Sequence, residues 1–182
     1  MNLEKILVSS KNLVRTGWMQ HGIPPAIGET VASHSFEAAI LAYEISNELL
    51  KLGVKVNPDR ASVIALFHDI AESIMGDLPR WTTQSMNKTE KINLEIKAIK
   101  ELNANIELYE EYYKGLSIEG RIARLSDKLS TCLQAIRYKK MGFNVDDIIS
   151  SSIREIEEIL NDGVFVSIKE KVFEIIKSTE NS

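Results

Sequence analysis

The sequence predicts an all-α protein, a compact multi-helix bundle forming one domain over residues 1–182. Three observations carry this. The apolar residues recur at helical spacing almost throughout. Only 9 Gly and 4 Pro occur, too few for a turn-rich β architecture. No pair of alternating apolar/polar runs stands ready to form a hairpin, and no repeat, low-complexity tract or linker divides the chain.

In chain order, the pattern predicts a first helix from Leu3 to Val14. A loop of about 15 residues follows, RTGWMQHGIPPAIGE, long enough to suggest a functional segment. A second helix runs from Thr30 to Leu52, and its Ala32, Ala38, Ala39 and Ala42 allow close helix approach. Gly53 ends it. Asn57-Pro58 reads as an N-cap with Pro at the first helical position. The third helix carries the run Ala61–Phe67, apolar except for Ser62, leads into His68-Asp69 and closes near Gly76. Further helices are expected at Lys88–Leu102 and Ile106–Lys114. A long one capped by Ser117 should reach Tyr138, with a core stripe through Ile118, Ile122, Leu125, Leu129, Leu133 and Ile136. Gly142 stops it. Asn144 is the expected cap of a helix over Val145–Leu160, and Asp162-Gly163 breaks the chain before a last helix, Val164–Lys177.

The single cysteine, Cys132, rules out an internal disulfide and any cysteine-based zinc site, and its apolar neighbours predict an inert core thiol. No apolar stretch is long enough to span a membrane, and the N-terminus lacks a signal-peptide pattern. A cytoplasmic protein without a membrane partner is expected. The net charge of −4 offers no general attraction to a nucleic-acid polymer. A small anionic substrate is compatible with it, because a metal or a few local cations dominate a cleft.

The chemistry concentrates around His68-Asp69. If the third helix continues, Glu72 shares a face with both, and Asp77 follows in the turn Gly76-Asp77-Leu78-Pro79. Acids behind an apolar run need partners or a cation. Imidazole nitrogen and carboxylate oxygen together suit a divalent ion. The best second histidine is His34, among the small residues of VASHSF, and the best distant carboxylate is Asp127 in ARLSDKLS. Taken singly, each has an ordinary alternative. His34 can be a satisfied core histidine, and Asp127 can pair with Arg124 or Lys128. Glu72 can be a solvated helix residue and Asp77 a turn former. His21, beside Gly22, reads as a solvated loop residue.

The order His34, then His68-Asp69, then Asp127 resembles the HD-domain superfamily of metal-dependent phosphohydrolases. The segments ETVASHSF, ALFHDIAESIMGDLP and ARLSDKLSTCLQA, with RTGW upstream, look like the signatures of its 5'-deoxynucleotidase (oxetanocin-phosphohydrolase-like) branch. The resemblance covers roughly residues 3–140. It implies one divalent transition metal (Mn, Co, Ni, Fe or Zn) held by His34, His68, Asp69 and Asp127. It implies that Glu72 and Asp77 act on the phosphate and the attacking water, that Arg15 pairs with the phosphate, and that Trp18 packs on the deoxyribose. The implied reaction hydrolyses a nucleoside 5'-monophosphate, preferably the deoxy form, and a homodimer is the implied assembly. The chain departs from the bacterial members in placing Thr16-Gly17 between Arg15 and Trp18, and Ser33 stands where an acid commonly precedes the first histidine. Two other readings are a phosphohydrolase for a dNTP, a cyclic nucleotide or a non-nucleotide phosphomonoester, and a metal-binding regulatory helical protein without turnover.

Overall fold

The structure, a computed structural model, describes residues 1–182 and is all-helical. Its only β feature is one isolated antiparallel bridge, Val14 to Thr30. None of its helices is long and apolar enough to cross a membrane.

Helix α1 (Leu3–Asn12) stops two residues earlier than expected, because Leu13 turns extended and its neighbour Val14 forms the bridge to Thr30. The expected loop is largely folded. It holds a short helix, α2 (Thr16–Gln20), and a 3₁₀ turn at Pro25–Ile27. The Asp77 carboxylate, distant in sequence, accepts from the Thr16 amide at the start of α2, a cap that local spacing cannot reveal.

Helix α3 (Val31–Lys51) begins with a reciprocal capping box between Thr30 and Ser33. Helix α4 (Pro58–Phe67) starts with Pro58 at its first position, and the Asn57 side chain accepts from the Arg60 amide, as the sequence predicts.

The continuous helix expected through to Gly76 does not form. The chain breaks at His68-Asp69, and only Glu72–Met75 (α5) resumes helical geometry. The amides of Ile70, Glu72 and Ser73 bond to carbonyls three residues back, at 3.2, 3.0 and 3.2 Å, which tightens the turn. His68 Nδ1 donates to the Ala65 carbonyl at 2.6 Å. Glu72 is therefore separated from the histidine by a turn and does not share a helix face with it. Gly76, at φ 78°, then redirects the chain.

Helix α6 (Arg80–Ser85) carries no periodic apolar signal and has no buried residue. Helices α7 (Lys88–Glu101), α8 (Ile106–Lys114) and α9 (Ile118–Lys140) follow the expected pattern, and Ser117 caps α9 by accepting from the Gly120 amide at 2.9 Å. Helix α10 (Asp146–Leu160) begins without the cap expected from Asn144; buried Val145 occupies that position. The last segment opens as a 3₁₀ stretch, Gly163–Ile168, before α11 (Lys169–Asn181).

Helix α9 is the spine. The main core packs its Ile122, Leu125, Leu129 and Leu133 against Ala38, Ala42 and Ile45 of α3, Ile64 of α4, Ile156 of α10 and Val172 of α11. Cys132 lies fully buried there, and burial, with Glu180 nearby, pushes its thiol up to about 11. The crossing of α8 over α9 is close at one point: a Cβ built at Gly120 would run into the Glu111 carbonyl. Arg60 of α4 donates to the Glu111 carboxylate at 3.0 Å through Nε, tying α4 to the same place.

Candidate metal centre and its cavity

Three elements meet at one spot. Helix α3 contributes His34, α9 contributes Asp127, and the turn after α4 contributes His68-Asp69. His34 is fully buried, and His68 and Asp127 are buried as well. Small side chains make the approach possible: Ser126, Ser130 and Ala123 on α9, and Ser35 and Ala38 on α3, are all buried.

The ligand atoms of His34, His68 and Asp127 all lie within 4.8 Å of one another. His34 Nε2 is 3.1 Å from Asp127 Oδ1, and His68 Nε2 is 3.8 Å from the same oxygen. Asp69 Oδ2 approaches both imidazoles, 3.0 Å from His68 Nε2 and 3.9 Å from His34 Nε2. His68 Nε2 is buried with no hydrogen-bond partner, since the nearby Asp69 oxygen stands out of alignment. Two imidazoles and two carboxylates converging on an orphaned nitrogen fit a divalent cation. The Ala65 carbonyl fixes the His68 proton on Nδ1, leaving Nε2 free for that role.

His34 Nδ1 meets Arg15 Nη1 at 3.1 Å and Ser130 Oγ at 3.2 Å. A guanidinium only donates, so Nδ1 accepts from it and Nε2 presents its proton to Asp127. For His34 Nε2 to hold a cation, the ring proton would sit on Nδ1 with Ser130 Oγ as its acceptor, and Arg15 would keep only its contacts to Glu29 and Thr131.

The protein's own charges set the ionisation of His68, Asp69 and Asp127 against burial. Burial raises the Asp69 carboxyl, but His68 and His34 outweigh it and hold it at about 2. Asp127 is held well below the usual carboxylate range against burial by Lys128, His34 and His68. Burial pulls His68 down, and Asp69 and Asp127 overcome it, to about 9. Glu72 is the exception. Burial and the Asp69 and Asp77 charges push its carboxyl well up, and its Oε2 is buried without a partner.

The centre opens into a cavity of about 470 Å³, within the range of small-molecule sites. Arg15, Arg80, Lys91 and Lys128 line it together with the acids Asp69, Glu72, Asp77, Glu95, Asp127 and Glu155, and each of the four cations is paired with a carboxylate. Arg15 points inward and donates to Glu29 Oε2 at 3.1 Å and Thr131 Oγ1 at 3.3 Å. Burial works against its charge, and Glu29, Asp69, Asp127 and Asp77 more than offset it.

Trp18 borders the cavity but is 2% exposed. Its indole N–H donates to Glu29 Oε2 at 2.8 Å, and its ring meets Tyr138 edge-on at 5.1 Å. Asp77 lines the cavity while bound to Thr16 through both its carboxylate and its carbonyl. His21 lies outside it, bonded to Gly17 O (2.7 Å) and Asp147 (3.1 Å).

Three residues of the site carry no sequence signal of their role. Glu29 links Arg15 and Trp18, and its amide donates to Tyr138 Oη at 2.7 Å. Tyr112 donates to Asp127 Oδ2 at 2.6 Å. Lys128, in sequence only a surface partner for Asp127, pairs with that carboxylate in its buried setting at 3.0 Å. A glutamate at a loop end and a tyrosine on a charged helix have no spacing that could identify them.

An all-helical bundle with a His/His-Asp/Asp centre defines a class, and comparison bears it out: the HD domain family model matches residues 8–164, so the chain belongs to the HD-domain family, which is built around a divalent cation. More particularly, the chain is 28% identical over 156 residues to the 5'-deoxynucleotidase HDDC2 of Dictyostelium discoideum, covering 80% of each protein. It is 29% identical over 140 residues to the human protein of that name, covering 72% of this chain and 64% of that one. Among solved structures, a conserved hypothetical protein from Pyrococcus furiosus superposes with a TM-score of 0.78 at 31% identity, covering 97% of this chain and 98% of that one. A Pyrococcus horikoshii protein gives 0.79 at 30% identity, covering 98% of both.

Proposed function

We propose that this protein hydrolyses deoxyribonucleoside 5'-monophosphates to nucleoside and phosphate, in the cytoplasm, using a divalent transition metal (Mn, Co, Ni, Fe or Zn). The observation that carries the reading is the convergence of His34, His68 and Asp127 at the head of a cavity that Arg15 enters, beside a Glu72 whose buried Oε2 has no partner. The relatives named 5'-deoxynucleotidase supply the substrate class.

His34, His68, Asp69 and Asp127 would hold the cation, which supplies charge neutralisation at the phosphoryl group and a more acidic water. Arg15 contacts the phosphate from the cavity wall. Glu72 serves as the acid: its carboxyl would give a proton to the leaving 5' oxygen as the phosphorus–oxygen bond breaks and the water oxygen bonds to phosphorus, and the proton shed by that water onto the phosphate would return to Glu72. Asp77 acts through Thr16, holding α2 so that Arg15 and Trp18 keep their places. Trp18 closes the sugar end against a 2'-hydroxyl by sheer occupancy.

The test is phosphate release from a panel of ribo- and deoxyribonucleotides, dNTPs, cyclic nucleotides and simple phosphomonoesters, with each metal supplied in turn. Release from dNMPs above all others is expected. Zero release across the panel from metal-loaded protein overturns the enzymatic reading, and equal rates on AMP and dAMP overturn the role of Trp18. Asp69→Ala should lose both metal and turnover.

The assembly is a homodimer in this reading. Phe36, Ile40 and Tyr43 on α3, with Val63 and Leu66 on α4, are 64%, 51%, 42%, 40% and 46% exposed. The two helices are joined at this edge, where Ser62 Oγ donates to the Ala39 carbonyl at 3.0 Å. An aromatic side chain presents about 150–250 Å², so these five offer on the order of 500 Å² of apolar surface. A standard interface buries about 800 Å² per partner, which this patch and its polar rim supply to a second copy. Light scattering should give twice the chain mass, and Ile40→Asp should halve it; a monomeric wild type overturns the assembly.

A further inference from the structure

Asp127 has two oxygens in two different environments. Oδ1 faces the imidazoles of His34 (3.1 Å) and His68 (3.8 Å). Oδ2 faces away, and two donors hold it: the Tyr112 hydroxyl at 2.6 Å and the Lys128 ammonium at 3.0 Å. Lys128 is itself fixed from the other side by Glu155 Oε2 at 3.3 Å. Tyr112 comes from α8, and its ring lies 5.1 Å from that of His68, tilted by 44°. One side chain therefore touches two of the four proposed ligands, one through its hydroxyl and one through its ring.

We propose that Tyr112 is a positioning residue for the metal centre, one that makes Asp127 a one-oxygen ligand. With Oδ2 occupied by the phenol and the ammonium, only Oδ1 is left for a cation. The carboxylate cannot rotate to offer both oxygens without breaking a charge-assisted hydrogen bond and an ion pair. A phenol hydroxyl has one proton to donate, and Oδ2 receives it. A metal ligand held through its outer oxygen gains both orientation and selectivity, and losing such a partner typically costs about 10–100-fold in metal affinity.

This inference rests on the divalent-cation reading above, and the test separates the two. Cobalt(II) is titrated into wild type and Tyr112→Phe, with affinity measured by competition against a chelator and the visible absorption spectrum recorded. Phenylalanine keeps the ring against His68 and removes only the hydroxyl. Tyr112→Phe should bind cobalt about 10–100-fold more weakly, with a shifted visible spectrum as Oδ2 becomes free to join the ligand set. Unchanged affinity and an unchanged spectrum overturn the role of Tyr112 while leaving the metal site standing. A wild type that binds no divalent metal overturns the site itself. Circular dichroism of the metal-free proteins checks that both fold. Should Tyr112→Phe fail to fold, Lys128→Met removes the second donor from the same oxygen and is read in the same way: a normal cobalt spectrum at normal affinity overturns the one-oxygen arrangement.

Discussion

The two walls of the cavity are built on different physics. The inner wall, from α3, α9 and the turn after α4, carries the proposed ligands; α3 and α9 belong to the main hydrophobic core, where Ala38, Ala42, Ile64, Leu125 and Leu129 leave almost no exposed surface, and Ile70 and Ala71 of the turn pack in a second cluster. The outer wall, the segment from Asp77 through α6, contributes Leu78, Pro79, Arg80 and Thr83 yet buries no side chain of its helix, and Trp81 is 77% exposed. Polar ties hold it: Asp77 to Thr16, and Arg80 to Glu155 at 3.5 Å. Apolar burial is insensitive to salt, whereas exposed charge pairs are screened. The arrangement separates a proposed metal centre set in the apolar core from a rim held by polar contacts.

The sharpest way to break this comparison is at the centre. Asp127→Ala removes the ligand oxygen and leaves Tyr112 and Lys128 without their shared partner. Metal stoichiometry should fall to zero and turnover by about three orders of magnitude, the several kcal/mol that a cation contributes to phosphoryl transfer; elemental analysis and phosphate release check both. Next comes Trp18, which lies between the walls. Trp18→Ala should cost about 3–5 kcal/mol of stability as a buried aromatic truncation, read from urea unfolding. A cost near zero would mean that α2 is not packed on Tyr138 as described. Asp77→Ala acts first on the rim, through Thr16 and α2. Loss of a cap costs about 0.5–2 kcal/mol, and substrate KM should rise while metal affinity stays constant; a matching loss of metal would erase the distinction between the walls.

The smallest effect concerns His21 and Asp147, which tie α2 to α10. Burial lowers the His21 pKa, and the Gly17 carbonyl and Asp147 raise it above 6.5 on balance, so its contribution is full below 6.5 and fades as pH rises through the raised value. For Asp147, burial works upward but His21 holds it below 3.8, so its contribution is present above 3.8 and fades as pH falls. The tie is strongest between those limits. It is worth no more than about 0.5 kcal/mol for so exposed a pair. Asp147→Asn should flatten, by that amount, the decline in stability that begins as pH rises past the ordinary histidine value of 6.5.

Most helices are legible in the sequence because each buries a stripe that repeats every three or four residues, as Ile122, Leu125, Leu129 and Leu133 do on α9. The four proposed ligands can be picked out because imidazoles and carboxylates beside small or apolar neighbours demand partners, and the structure brings all four together. What cannot be read depends on contacts distant in sequence. The helix break at His68 follows from a side chain taking a backbone carbonyl, and α2 is capped by a residue 61 positions away. Glu29 and Tyr112 acquire their roles only when Trp18 and Asp127 are delivered to them by other helices.

Gly120 does not line the cavity and carries no side chain that could reach a substrate. Its missing side chain is what lets the Glu111 carbonyl settle against α9, and Glu111 is the residue before Tyr112. A methyl group at Gly120 would lift α8 like a shim under one leg of a table, and the phenol would tilt off its carboxylate first. A variant found there in a screen would look like a defect of metal loading, with every ligand still in the sequence.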